Sequence, residues 1–336
     1  MAGAPARGTG TRARPASIER SGRALGSALR LTLAFDGTGI VRGWSAHAST
    51  RLADAAWAEV VATFAEVDLA MSRFREDSEL TALNRRAPGS VDRTSRMLAR
   101  ALAAADRAFR VTRGRFDPRV VAALERIGYV GVPQGNSPAA PRTATDRVLV
   151  RDGRHGPVAL PVPVDLGGIG KGLALRWAAH RLAAVLEGRA AGFLLEAGGD
   201  IVVGGGAPDG GPWKVGIENQ AGGSDPLAVL VIEGSGAVAT SSTSQLRWPT
   251  STGVAHHLID PRTGEPGGEG LLAVTVAGPD PAWAEVWSKA LFLEGTRGIA
   301  DAARRRGLAA WWAGEDGRFE MTPAARVRTI WVAAEA

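Results

Sequence analysis

The segment Asp165-Leu166-Gly167-Gly168-Ile169-Gly170-Lys171-Gly172 (DLGGIGKG) lies between a strand-like run, PVPVDL, and a run of helical spacing that reaches Leu186. Its four glycines leave a backbone that other groups can approach closely, and the unpaired N–H groups of a helix start attract an anion such as a phosphate. The spacing matches neither GxxxxGK[ST] nor GxGxxG, so the segment is neither a P-loop nor a dinucleotide fingerprint. Taken by itself, a structural turn explains it as well as a phosphate site does. Lys171 adds weight to the phosphate site. Arginine supplies nearly every basic side chain here, and Lys171, Lys214 and Lys289 are the only lysines. A lysine inside a glycine loop suggests a need for a compact point charge.

Upstream of the loop, Ala28–Phe35 (ALRLTLAF) has the apolar run of a strand, and Leu52–Arg73 carries Val60, Phe64, Val67, Leu69 and Met71 at roughly helical spacing. The polar segment Ser72–Asn84 (SRFREDSELTALN) turns into a short helix that Asp77-Ser78 can cap, and a further helix is expected over Ser95–Val111. Gly131–Pro141 (GVPQGNSPAAP) reads as a loop or insertion. Downstream of the helix Gly170–Leu186 come short strand-like runs at Phe193–Glu196, Ile201–Val203, Trp213–Ile217 and Leu227–Ile232. A strand at Leu271–Val276, helices at Ala282–Leu293 and Thr296–Arg306, and strands at Ala309–Trp312 and Val327–Val332 follow. This irregular alternation predicts an α+β fold of mixed sheets with flanking helices, in two intimate lobes, rather than a parallel βαβ series.

The 336 residues suffice for a sizeable core, and 45% apolar with 22% charged residues is ordinary for a globular protein. Cysteine is absent, which removes disulfide and thiolate chemistry and fits a cytoplasmic protein. The formal charge is +6, but six arginines against Glu19 alone put +5 of it in residues 1–30. Residues 1–24 are therefore expected to be a disordered basic tail on a domain spanning 25–336. A nucleic-acid enzyme is not indicated. No segment has the apolar h-region of a signal peptide or the roughly 18 apolar residues of a membrane span.

Three further constellations carry chemistry. Glu196-Ala197-Gly198-Gly199-Asp200 is a tight Gly-Gly-Asp turn that a hairpin accounts for as readily as a binding site. His256 and His257 are adjacent and close to Asp260, downstream of Thr240-Ser241-Ser242. Neighbouring strand residues face opposite ways, so one histidine at most faces a site, where it can serve as a general base. No GxSxG elbow accompanies them, which disfavours a serine hydrolase. Glu285 and Lys289 are four apart on a helix. That spacing makes either an exposed ion pair of about 0.3–0.5 kcal/mol or a pair of head groups directed at phosphates.

In this order these segments resemble the ApbE family of flavin transferases, over about residues 25 to 310. The family's MSxxxxxSELxxLN segment is similar to Met71–Leu80 with Leu83-Asn84, and its FDP element to Phe116-Asp117-Pro118. Its DLGGIAKG loop is present with Gly170 in place of alanine. Its GGD, TSG-like and HIIDPxTG elements follow as Gly198-Gly199-Asp200, Thr240-Ser241-Ser242 and His257–Gly264.

The resemblance implies an FAD:protein FMN transferase that binds FAD through the Phe116, Asp117 and Pro118 backbone, Asp165, Lys171 and Ile259, with Leu25 flanking the flavin. It implies that His257 deprotonates a threonine of an acceptor flavoprotein, whose oxygen attacks the FMN-side phosphorus while AMP leaves. The family's ADxxxT helix supplies magnesium ligands, and there this chain departs from the pattern, with Glu285, Ser288 and Lys289. Either Lys289 takes over part of the cation's role, or Mg²⁺ is held by Glu285, Ser288 and the Gly168 carbonyl. An FAD pyrophosphatase and a flavin-binding protein without catalysis are the competing readings.

Overall fold

The computed structural model describes residues 17–35, 46–87, 89–130, 150–151, 157–244, 246–250 and 253–333. Residues 1–16 of the expected tail, and the loop expected at Gly131–Pro141, lie outside them.

Eight strands form one antiparallel sheet whose spatial order follows chain order: β1 (Ser17–Ala24), β2 (Ser27–Ala34), β3 (Gly192–Ala197), β4 (Asp200–Gly205), β5 (Gly236–Ser242), β6 (Leu271–Gly278), β7 (Ala309–Gly314) and β8 (Phe319–Met321). Side chains alternate between its faces. Leu29, Leu31, Leu33 and Leu195 join the core under the helices, whereas Leu194, Ile201 and Val203 face a small sheet of Trp213–Ile217, Ala228–Ile232 and Thr329–Val332. Each fully buried leucine contributes about 1.5–3 kcal/mol. A one-residue slip would turn the whole set outward, so burial fixes the register.

The tail reading is corrected at residues 17–24, which form β1 in full register with β2. The hairpin between them is closed by Leu25 (φ 50°) and Gly26 (φ 74°). The β3–β4 hairpin is closed in the same way by Gly198 (φ 58°) and Gly199 (φ 88°). Two successive left-handed residues make the type I′ turn that suits strand twist. Leucine is costly there, by about 1–3 kcal/mol. The two hairpins meet: Gly198 N donates to Ala28 O at 2.9 Å, and a Cβ on Gly198 would lie 2.7 Å from Ser27 Oγ.

The helices are α1 (Ala46–Met71), α2 (Glu79–Asn84), α3 (Arg96–Val111), α4 (Val121–Arg126), α5 (Gly170–Leu186), α6 (Pro281–Phe292) and α7 (Gly295–Arg305). Ser78, Ser95 and Asp280 cap α2, α3 and α6 through their side chains. Helix α4 has no such cap and was not anticipated. The strand expected from Val327 begins at Thr329, because a turn of helix over Pro323–Arg326 precedes it.

Helix α5 packs between α1 and α6. Gly172 permits the close approach to α6, since a Cβ there would lie 2.5 Å from Ala282 Cα and 2.6 Å from Pro281 O. Asn84, at the end of α2, donates to Val164 O and accepts from Val164 N, both at 2.9 Å. The conspicuous SELTALN segment thus fixes the residue that leads into the Asp165 loop.

Candidate active site

Both I′ hairpins, the Asp165–Lys171 loop and α6 open onto one cavity of about 1320 Å³. Leu25, Phe116, Asp117, Pro118, Asp165, Gly168, Lys171, His257, Glu285 and Lys289 all line it. Asp117 turns its carboxylate to Arg119, at 2.9 Å from Nε and from Nη2, so the Phe116–Pro118 segment offers the cavity its backbone. Asp165 N donates to Pro118 O at 2.7 Å, which ties that segment to the glycine loop.

The carboxylates of the loop are engaged with basic groups and backbone. The Asp165 carboxylate accepts from Arg73 Nε and from Gly167 N, and Arg73 Nη2 continues to Tyr129 O at 2.9 Å. The Lys171 ammonium pairs with Asp200 Oδ2, and Thr240 N donates to Asp200 Oδ1 at 3.1 Å. The Gly-Gly turn is therefore both hairpin and site, because it carries the acid that holds Lys171. Glu285 Oε2 accepts from Gly172 N at 2.7 Å, and Oε1 stands 3.8 Å from Lys171 Nζ. Ile169, the cap residue of α5, provides no side-chain bond, so Glu285 from α6 satisfies that helix start instead.

These contacts push the titrating groups apart. Burial opposes the Lys171 charge, but Asp200 and Glu285 outweigh it and hold the ammonium above its ordinary range. Burial raises Glu285 to about 7 against the pull of Lys171. Lys289 is lowered, by burial and by Lys171, with Asp165 and Glu285 opposing. His257 falls to about 3 through burial and then the charge of Lys289. Its Nδ1 is buried without a partner, leaving Nε2 as the nitrogen that can meet a hydroxyl. Only His257 faces the cavity, from the bend that follows the strand Gly253–His256 rather than from the strand itself. His256 packs edge-on against Phe292, with ring centroids 6.1 Å apart.

Three expectations are corrected. Ile259 does not line the cavity but is buried with Val120, Ala123 and Leu124 behind its wall. Ser288 is fully buried, donating to Glu285 O at 3.0 Å and bonded to Ser241 Oγ at 2.9 Å, so its hydroxyl joins α6 to β5. Glu285 makes no ion pair with Lys289. Its carboxylate turns to Lys171 and Gly172. Ser242, at the position of a family glycine, is a strand residue without positive φ.

Magnesium requires near-octahedral oxygen ligation. Here Glu285 is engaged by a backbone N–H, Ser288 points into the core, and the ammonium of Lys289 covers Gly168, 2.9 Å from where a Cβ would stand. Among the described residues no group of three or more His, Cys, Asp or Glu side chains is placed to hold a metal ion. These residues do not fit Mg²⁺.

Sequence reasoning missed Arg73, which is 2% exposed. It also missed an aromatic edge beside His257. Tyr129 stacks on Trp248 at 5.5 Å and meets Phe74 edge-on at 5.5 Å, and His257 lies 6.2 Å from Tyr129. Residues 74, 129 and 248 share no local pattern. The single tyrosine of the chain was the only available hint.

The chain matches the ApbE family over residues 26–312, and it belongs to that family. A FAD:protein FMN transferase of Haemophilus influenzae is 26% identical over 309 residues, covering 88% of this chain and 85% of that protein. One of Salmonella typhimurium is 30% identical over 155 residues, which span 46% of this chain and 43% of the relative. In fold, the chain is similar to the ApbE protein of Thermotoga maritima (TM-score 0.77, 24% identity, 93% of this chain and 99% of the other). It is also similar to the apo flavinyl transferase ApbE of Pseudomonas stutzeri (TM-score 0.74, 22% identity, 94% and 98%).

Proposed function

We propose that this protein transfers FMN from FAD to a threonine hydroxyl of an acceptor flavoprotein and releases AMP. The observation that carries the proposal is the convergence of a cavity-facing histidine, two lysines and a glycine-rich helix start on one space. That space, at about 1320 Å³, exceeds the 300–1,000 Å³ or so of ordinary small-molecule sites and leaves room for an acceptor segment beside the dinucleotide.

The diphosphate lies against the Gly167–Lys171 backbone, with Leu25 and the Phe116–Pro118 backbone on the flavin side. His257 takes the threonine proton, and the threonine oxygen bonds to the FMN-side phosphorus. The bond from that phosphorus to the bridging oxygen breaks, and the oxygen leaves with AMP. Burial first, and then the charges of Lys289 and Lys171, keep His257 a weak base. A bound diphosphate counters those charges and raises His257 toward the working pH, where a general base is most effective. Alignment and charge neutralisation do the rest, as phosphoryl transfer requires.

Lys171 holds the loop and its charge through Asp200. Arg73 positions the loop through Asp165, which lines the cavity on the nucleotide side. No helix of the described residues is long and apolar enough to cross a membrane. A cytoplasmic site of reaction is part of this proposal, and a chain without cysteine is compatible with it. Cell fractionation checks this.

The test incubates the protein with FAD and a flavin-acceptor domain and measures the intact acceptor mass. Gain of one FMN, lost in His257→Ala while FAD still binds, is the expected result. Release of FMN and AMP with no change in acceptor mass would instead show a hydrolase, and FAD binding without AMP release would show a flavin carrier.

A further inference from the structure

All three lysines line the cavity, and their surroundings differ: Lys214, at the exposed edge, pairs with Asp209 at 3.1 Å. Lys171 is engaged by Asp200 and flanked by Glu285. Lys289, one helical turn beyond Glu285 on α6, reaches into the same space with no hydrogen-bond or ion-pair partner among the described residues. Its head rests on Gly168, where an added Cβ would lie 2.9 Å from Nζ, 3.0 Å from Cδ and 3.1 Å from Phe116 Cε2. The glycine therefore makes room for the ammonium. The ammonium is partly buried and no carboxylate contacts it, Asp165 and Glu285 acting on it only from a distance, so an arriving anion finds it without a hydrogen-bond partner.

Resting on the transfer reading above, we propose that the Lys289 ammonium occupies the place of a divalent cation at the FAD diphosphate, so that binding and transfer proceed without a metal ion. Helix α6 presents the cavity with one ammonium and a single carboxylate, whose Oε2 caps α5 and whose Oε1 faces Lys171 at 3.8 Å, while the Ser288 hydroxyl is turned to Ser241. Negative charge gathers on the phosphate oxygens and on the departing AMP as the bond breaks. A fixed ammonium beside the loop neutralises it without moving. Lys171 cannot serve alone, because Asp200 already neutralises it. No proton or bond changes at Lys289, so it acts purely as a charge.

The test measures FAD and riboflavin binding by flavin fluorescence, together with FMN transfer, in EDTA and in Mg²⁺, for the wild type, Lys289→Met and Lys289→Arg. Methionine preserves the packing of the chain and removes only the charge. The expected result is the same FAD affinity and transfer in EDTA as in Mg²⁺. For Lys289→Met, FAD affinity should weaken roughly ten- to a hundredfold, the usual worth of a charge-assisted contact. Riboflavin, which has no phosphate, should bind both proteins equally, and Lys289→Arg should retain part of the FAD affinity. Wild-type FAD binding that collapses in EDTA and returns with Mg²⁺ would overturn the proposal, as would Lys289→Met binding FAD like the wild type. If no FMN is transferred under any condition, the transfer reading fails, whereas the FAD-against-riboflavin comparison still decides the role of Lys289.

Discussion

Replacing Glu285 by alanine should destabilise the protein by about 2 kcal/mol near pH 4.5, whereas replacing it by glutamine should leave stability there nearly unchanged. Alanine leaves the Gly172 N–H without its acceptor at 2.7 Å, in a place where Gly172 lies tight against α6 and no other acceptor is at hand. An orphaned buried donor costs about 1–3 kcal/mol. Glutamine keeps an oxygen in place and loses only a carboxylate whose ionisation burial already disfavours. Asp200 continues to hold Lys171 in either variant. At about 2.1 cal/mol/K of unfolding entropy per residue, 2 kcal/mol corresponds to roughly 3 °C in Tm for 336 residues. Thermal unfolding followed by circular dichroism, in EDTA and in Mg²⁺, measures it.

The sign of the pH dependence adds a second check. The folded pKa of Glu285, about 7, lies above the ordinary 4.5. Its contribution is therefore fully present below about pH 4.5 and is lost as pH rises through 7. Glutamine lacks this loss, so Glu285→Gln should gain on the wild type as pH rises from about 4.5 to 7, with little further gain above. Equal damage from glutamine and alanine would refute the capping role. So would a Tm that Mg²⁺ raises in the wild type but not in Glu285→Gln, since the carboxylate would then be a metal ligand.

Two further outcomes follow from buried charge. Arg73→Ala leaves Asp165 buried without its cation and should cost about 3–5 kcal/mol in denaturant unfolding, with FAD affinity falling as the loop loosens. The pair Arg73→Met with Asp165→Asn should recover part of that stability. His256 and His257, held at about 4 and 3, stay neutral in the fold but take protons in the unfolded chain below 6.5. Their contribution is thus lost as pH falls from about 6.5. Glu285 opposes it over the same range, so two histidines against one glutamate leave a net slope below roughly 1 kcal/mol per pH unit once the partial exposure of His256 is allowed for. Unfolding at pH 5 and pH 6.5 measures the slope, which the double substitution of both histidines by glutamine should reverse.

Local chemistry made some elements readable and left others silent. Helix α5 and the caps Ser78 and Ser95 were legible because each depends on residues within one turn of itself. Strand β1 was not. Its burial alternates only between exposed and half-buried, as befits an edge strand, and Glu19, Arg20 and Arg23 gave it the composition of a tail. Arg20 is held by Asp54 of α1, 34 residues away, which no local pattern reveals. Ile259 was misplaced for a related reason: an apolar residue inside a motif suits a cavity wall and the core behind it equally well. Arg73, Tyr129 and Trp248 meet only through the fold.

The pairing of Lys171 with Asp200 shows what motif order alone leaves out. Both residues were singled out, 29 positions apart, yet nothing in either segment says that they touch. The contact depends on the I′ geometry of Gly198-Gly199, which returns the chain one register step later so that Ala197 faces Asp200 across the hairpin. A two-residue loop of type I or II would splay the strands and carry the acid away from the glycine loop. Lys171 would then keep only Glu285, at 3.8 Å, and its charge and that of Lys289 would repel within one cavity. The Gly-Gly turn thus distinguishes the two lysines: one is neutralised to hold the loop, and the other is left for the anion that the cavity receives.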